Sequence, residues 1–285
     1  LKPDVVIVQG LHNPIPLILL HAILPKKTKI IVHHHAEKPM PGIKKYVQKL
    51  ADRFVDVYLF ASMEMGLDWV KKGIISKYWK VQEVMEVSSN FYPVDKELAR
   101  RKTDASGAPV FLWVGRLNDN KDPLNVVKAF LKYAKTNPAA HLYMIYHTAE
   151  LLPQINALLT EDASKPAIKL IGQVLHDDLQ YWFNSADFLI SGSHYEGSGT
   201  AVCEAMSCGC VPVVTDIQSF KMITDNGRSG VIYEAGNEAS LLAALNSLDK
   251  LDMKEKQELC LRYFKEKLSF AAIAKRIEEI VAALY

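Results

Sequence analysis

No stretch of this 285-residue chain is apolar for long enough to cross a bilayer. The longest apolar run, PIPLILLHAILP at 14–25, carries prolines and a histidine and falls short of the roughly 20 apolar residues that a spanning helix needs. It reads as a buried helix. Cysteine is scarce: Cys203, Cys208, Cys210 and Cys260 are unevenly placed, three of them beside one apolar stretch. That suits reduced core thiols in a cytosolic protein better than a disulfide framework or a metal site. Neither charge dominates, with 34 Lys+Arg against 32 Asp+Glu and a formal net charge of +2. No polybasic arm points to nucleic acid as the main partner, so any bound anion must be met by local charges. Internal repeats and low-complexity segments are also lacking. The chain opens on Leu1 rather than Met, which leads to the expectation of further sequence upstream.

What is present is an alternation of Val/Ile-rich runs with helical patterns, the mark of parallel sheets covered on both faces. In the first third, strands are predicted at 4–9, 29–35 and 55–61, with a weaker one at 81–87, and helices at 14–24, 42–52 and 63–72. The polar segment NFYPVDKELARRKTDASGAP, 90–109, reads as a domain boundary. A second series follows, with strands at 110–114, 141–146, 168–171, 188–191, 211–215 and 230–233 and a helical tail from about 252. The predicted class is α/β with two Rossmann-like domains, the first spanning 1–108, the second 109–268, and a closing helix at 269–285.

Two constellations carry charge to the carboxyl ends of predicted strands, where open α/β sheets bind ligands. In VFLWVGRLNDNK, a buried strand is followed by Gly115, then Arg116 and, five residues on, Lys121. In FLISGSHYEGSGTAVCEAMSCGC, a strand runs through a Gly-Ser-Gly loop into a helix, with Glu196 in the loop and Glu204 inside the helix. The free N–H groups of such a helix start make an anion site. A carboxylate one turn in can accept two hydroxyl hydrogen bonds, as from a ribose or a sugar ring. Taken alone, each constellation has a plainer explanation: loop cations in the first, and a helix-dipole partner beside a solvated glutamate in the second. The run IIVHHH ends on His33, His34 and His35. Adjacent strand residues point to opposite faces, so the three make a poor metal triad and read as strand-end or core histidines.

Taken together with IGQV at 171–174, NGRSGVIY at 226–233 and SFAAIAKRIEEIVAALY at 269–285, these blocks resemble the retaining GT-B glycosyltransferases of glycosyltransferase family 4. The two glutamates separated by seven residues are the most specific feature. The resemblance implies a nucleotide diphosphate-sugar donor and a saccharide, lipid-linked or glycoconjugate acceptor, in surface-polysaccharide or glycoconjugate assembly. It implies that Glu196 faces the donor sugar and Glu204 the ribose. Main-chain amides across Ser198, Gly199, Thr200, Ala201 and Val202 would serve sugar and phosphate oxygens. Arg116 and Lys121, beside Gly115, would neutralise the diphosphate, Gln173 and Val174 would contact the base, and His35 would lie near the reacting face of the sugar. No Asp-x-Asp metal motif stands at a strand end, so the expectation is a metal-independent enzyme with no cofactor, cytoplasmic and without a nucleic-acid partner. Lys44, Lys45, Lys49 and Arg53 lie on one predicted helix; a solvated basic face is the simpler reading, peripheral contact with anionic lipid at the inner membrane face the alternative.

The chain departs from that pattern in three places. EVSSNFYP at 86–93 replaces an Asn-Gly-Val-Asp-like turn, and Tyr146-His147-Thr148 replaces a Gly-x-Gly turn. The first domain begins at a strand about halfway through that of the enzymes it resembles, without their glycine-rich loop. The expectation is a partial first domain with an unpaired sheet edge, and the rival reading is a non-catalytic nucleotide-sugar-binding remnant; turnover separates the two.

Overall fold

The computed structural model describes residues 2–11, 14–35, 37–162 and 164–285. They form two compact units, 1–87 with 270–285, and 88–269. The first unit contains β1 (Val5–Gln9), α1 (Pro14–Ile23), β2 (Lys29–His33), α2 (Lys44–Ala51), β3 (Val57–Phe60), α3 (Met63–Lys71) and β4 (Val81–Glu83). The second contains α4 (Lys96–Thr103), β5 (Val110–Gly115), α5 (Pro123–Thr136), β6 (His141–Tyr146), α6 (Leu152–Glu161) and β7 (Ile168–Gly172). It continues with α7 (His176–Ser185), β8 (Phe188–Ser191), α8 (Thr200–Ser207), β9 (Val211–Thr215), α9 (Gln218–Ile223) and β10 (Val231–Tyr233). Helices α10 (Glu238–Asn246) and α11 (Met253–Tyr263) complete it, and α12 (Phe270–Ala282) returns the chain to the first unit.

In the first unit the strands lie in the order β1-β2-β3-β4, all parallel. Every residue of β3, VYLF, is buried, because both faces of the sheet are covered. On one face Leu17, Trp69 and Ile75 pack with Ile30, Val32 and Tyr58. On the other, Ile273, Ile277, Ile280 and Val281 of α12 meet Ile31, Val57 and Leu59. That spacing of three and four is the apolar stripe of an amphipathic helix. Strand β2 stops at His33 rather than continuing to 35 as predicted: His35 N turns away to the carboxylate of Glu37, at 2.7 Å.

The second unit holds a six-stranded parallel sheet in the order β10-β9-β8-β5-β6-β7. Counted from β5, this is the doubly wound order 3-2-1-4-5-6, whose direction of winding reverses between β5 and β8. That reversal opens a crevice at the carboxyl ends of the strands. Phe111 and Phe188 stack across β5 and β8 with ring centroids 5.2 Å apart, and Phe130 and Tyr133 of α5 close on Phe111.

One sequence expectation changes here. The boundary falls at 87/88, upstream of the predicted 108/109. Residues 88–108 are tied into the second unit: Val94 N donates to Asn184 Oδ1 at 2.7 Å, Asn184 Nδ2 donates to Tyr92 O at 3.1 Å, and Lys96 pairs with Asp187. The segment read as a domain boundary contains α4, capped by Asp95, whose side chain accepts from Leu98 N. The tail is helical and adds no strand, as its sequence predicts. After α11 comes a wider turn at Phe264–Leu268, then an extended Ser269, before α12 begins.

Candidate functional site

At the β5/β8 reversal a cavity of about 560 Å³ opens within the second unit. The strand ends supply Val114 and Gly115 (β5), Ile145 and Tyr146 (β6), and Ser191 (β8); the loops behind them add Arg116, Lys121, His147, Gln173, Val174 and Glu196. The first turn and second turn of α8 add Thr200, Ala201, Val202 and Glu204, with Gly199 before them and Phe220 of α9 behind. Parallel β-strands deliver these side chains to one end because every strand points the same way.

Of the residues singled out in the sequence, Arg116, Lys121, Gly115, Gln173, Val174, Glu196, Gly199, Thr200, Ala201, Val202 and Glu204 all line this cavity. Ser198 does not, although it is buried. His35 belongs to the first unit, where its exposed ring is held at Nδ1 by Glu86 Oε2, 2.8 Å away, and at Nε2 by Gln9 Oε1, 2.6 Å away. His33 and His34 are buried, as expected of strand-end and core histidines, and burial holds both below their ordinary pKa.

The cavity contains an ion pair and a histidine–glutamate hydrogen bond. Lys121 Nζ is ion-paired with Glu196 Oε1, which also accepts from Ser193 Oγ at 2.7 Å. The loop carrying Glu196 is strapped to the loop carrying Lys121: His194 N donates to Asn120 O at 2.8 Å, Asn120 Nδ2 donates to Tyr195 O at 3.0 Å, and His194 Nε2 lies 3.2 Å from Asp122 Oδ2. The second pair is His176 Nε2 with Glu204 Oε1, 3.0 Å apart. Arg116 is exposed and makes no ion pair among the described residues, which leaves it the uncommitted cation of the site.

Glu204 is not the solvated helix residue that a lone glutamate on a helix would suggest. Its side chain is 9% exposed, and burial raises its pKa, opposed by the hydrogen bond and charge of His176. A carboxyl whose folded pKa lies above its unfolded value costs stability while ionised, and that cost fades as pH falls through the raised pKa. Glu204→Gln, which keeps the acceptor for His176, is therefore expected to raise the unfolding temperature of the empty protein at pH 7 to 8. The gain should shrink toward pH 4.5, the ordinary carboxyl value, and thermal scans across that range check it.

The helix start is fixed by Gly199, at φ +62°. A Cβ there would come within 2.8 Å of Phe220 Cε1 and 3.1 Å of Ile223 Cδ1, and the left-handed backbone adds strain for any residue with a side chain. Gly199→Ala is expected to lose about 1–3 kcal/mol of stability from these two effects, measurable as a lower denaturation midpoint. The first N–H groups of α8, those of Thr200 and Ala201, have no intrahelical acceptor and belong to residues of the cavity wall, whereas Val202 N donates to Gly199 O at 2.9 Å.

Several wall residues were not singled out from the sequence. His176 opens α7, 28 residues before Glu204 in the chain, and nothing in IGQVLHDDL marks it as a partner of that glutamate. Ser193, His194, Asn120 and Asp122 flank the predicted residues, but their strap is a contact between segments about 75 residues apart. Tyr146 and His147, noted only as a departure from Gly-x-Gly, supply side chains to the wall, and Thr148 Oγ1 accepts from Leu117 N at 2.9 Å, fixing the turn after Arg116.

Among the described residues no three His, Cys, Asp or Glu side chains gather as a metal-holding group. No helix among them is long and apolar enough to cross a membrane. The four cysteines are free and buried, with burial pushing Cys203, Cys208 and Cys260 up to about 12.

Comparison with known proteins places this geometry. A family model described as Glycosyl transferases group 1 matches residues 95–267. The poly(glycerol-phosphate) alpha-glucosyltransferase of Bacillus subtilis is 34% identical over 140 residues, covering 48% of this chain and 20% of that protein. This chain thus spans about a fifth of that relative's length. Among solved structures, Anabaena HepE in complex with UDP superposes with a TM-score of 0.80 at 14% identity, over 98% of this chain and 79% of that one. Sucrose-phosphate synthase of Thermosynechococcus elongatus does so with a TM-score of 0.76 at 16% identity, over 99% and 73%. At such identities the structures establish a shared α/β fold with parallel sheets, that of GT-B glycosyltransferases.

Proposed function

Because this chain belongs to the group 1 glycosyl transferases, we propose that its second unit binds a nucleoside diphosphate-sugar and that the protein transfers the sugar to a hydroxyl acceptor with retention at the anomeric carbon. The observation that carries the proposal is the cavity at the β5/β8 reversal. There Arg116, which makes no ion pair among the described residues, Lys121 and the start of α8 share a cavity of about 560 Å³ with the buried Glu204.

Breaking a sugar–phosphate bond leaves negative charge on the departing diphosphate, and fixed cations and helix-start amides stabilise such charge without reorganising. Arg116, Lys121 and the first amides of α8 are assigned that task. Glu204 accepts the ribose hydroxyls, and backbone atoms at Gln173 and Val174 meet the base. Glu196 faces the sugar, where its carboxylate accepts hydroxyls and offsets positive charge at the reacting carbon. In the empty protein Lys121 and Glu196 neutralise each other, so the donor is inserted into a pre-formed ion pair: phosphate to the cation, sugar hydroxyls to the anion. His35 enters on the resemblance alone, and His35→Ala is expected to slow transfer without changing nucleoside diphosphate affinity.

The acceptor is proposed to be a saccharide, lipid-linked or glycoconjugate hydroxyl. Peripheral contact with anionic lipid is part of the same proposal. Around α2 the exposed Ile43, Tyr46 and Leu50 stand beside Lys44, Lys49 and Arg53, a mixture suited to an anionic surface.

A thermal-shift screen against UDP-, GDP- and ADP-sugars tests donor binding, with one class expected to raise the unfolding temperature. Failure of all three would count against the proposal. Because cations and amides meet the diphosphate, binding is expected to be unchanged by EDTA. Loss of binding in EDTA, restored by magnesium or manganese, would overturn that part.

A further inference from the structure

We propose that His176 is a positioning residue of the donor site, holding the Glu204 carboxylate in the orientation in which it accepts the ribose hydroxyls. The inference rests on the reading that Glu204 meets the ribose. His176 Nε2 lies 3.0 Å from Glu204 Oε1, and no other side chain among the described residues bonds that carboxylate. The two sit at different depths. The Glu204 side chain is 9% exposed and that of His176 67%, so the imidazole reaches from the cavity wall down to a carboxylate on its floor.

The imidazole is itself held. Its ring packs on Phe91 at 5.1 Å between centroids, Phe91 packs on Phe183 at 6.2 Å, and Nδ1 faces Asp177 Oδ1 at 4.0 Å. A glutamate has three rotatable bonds, and one fixed donor at Oε1 selects the rotamer that leaves Oε2 and the second lone pair of Oε1 toward the cavity. The hydrogen bond and charge of His176 also oppose the effect of burial on Glu204, favouring the ionised form that only accepts. Two ribose hydroxyls, both donating, need that form.

Calorimetry on the full chain with UDP, GDP and ADP, each against its 2′-deoxy counterpart, tests this in the native protein, His176→Phe and His176→Gln. For the nucleotide bound most tightly, the native chain is expected to prefer the ribose form by about tenfold, the worth of one hydrogen bond to a charged group. His176→Phe should bind the ribose form about tenfold more weakly and lose the preference, with an unfolding temperature somewhat lowered at pH 7 because the buried Glu204 carboxylate loses its hydrogen-bond partner. His176→Gln, whose amide can donate to Oε1, should recover most of both. If a folded His176→Phe keeps the native preference, or if Gln does no better than Phe, His176 only packs and the inference is overturned. If the native chain binds a nucleotide but shows no preference, or Glu204→Ala retains one, the assignment of Glu204 to the ribose fails first and takes the inference with it. No binding of any of the three by the native chain contradicts both.

Discussion

Glu196→Ala is expected to slow sugar transfer by roughly 10²–10³, the cost of removing one preorganised group aimed at developing charge, while leaving the affinity for free nucleoside diphosphate unchanged or slightly higher. The increase would come from Lys121, which loses its carboxylate partner and becomes fully available to phosphate. Glu204→Ala should behave in the opposite way. Both the free nucleoside diphosphate and the intact donor contain the ribose, so both should bind more weakly, by about 1.5–3 kcal/mol or tenfold and more. Loss of an interaction that strengthens only in the transition state lowers turnover, and loss of one made equally to substrate and product nucleotide lowers affinity. Calorimetry with the nucleotide, beside turnover on the donor, separates the two. Equal loss of nucleotide affinity in both variants would show that the division of labour between the glutamates is wrong.

The second large effect concerns the diphosphate. Arg116→Ala and Lys121→Ala should each weaken nucleoside diphosphate binding, by about 1.5–3 kcal/mol per lost charged contact, with little effect on the free nucleoside. Lys121→Ala should be the worse of the two, because it also leaves Glu196, 16% exposed at the side chain, as an unpaired negative charge beside the incoming phosphate. Adding Glu196→Gln to Lys121→Ala should therefore restore part of the affinity, although Glu196→Gln alone has no such loss to repair. The pair must be treated as coupled rather than additive, since the two residues share one contact. Equal affinities in the Lys121→Ala protein with and without Glu196→Gln would show that the ion pair does not govern phosphate access.

The alternation of buried Val/Ile runs with helical patterns made the sheets legible, because a strand covered on both faces must be apolar along its length, as in VYLF and VFLWVG. Helix α4 was not legible: KELARRKT is so charged that it reads as a polar boundary segment, and contacts some 85 to 91 positions along the chain, Arg100 Nε to Ser185 O and Lys96 to Asp187, make it part of the second unit. The Asp95 cap was present in the sequence, but a cap marks a helix start only when an apolar stripe follows. The candidate site divides in the same way. Arg116, Lys121 and Glu196 stood out after strand ends and Glu204 inside the helix that follows, and the resemblance supplied their grouping. The partners did not stand out, because the Lys121–Glu196 and His176–Glu204 contacts depend on strand order rather than on spacing in the chain. Likewise, the extent of β2 was overestimated since His34 N still bonds to Leu59 O at 2.9 Å, while the buried Glu37 draws His35 N out of the ladder.

The central claim is that the crevice at the β5/β8 reversal receives a nucleoside diphosphate with its phosphates at the start of α8. A backbone amide NMR titration of the chain with UDP, GDP and ADP tests it most directly. The expected result, for at least one of them, is saturable shifts concentrated at Gly115, Arg116, Gln173, Val174 and Gly199 through Val202, abolished or strongly weakened in the Arg116→Ala, Lys121→Ala double variant. Absence of shifts with all three nucleotides, or saturable shifts at other residues that leave the α8 amides unmoved, would contradict it.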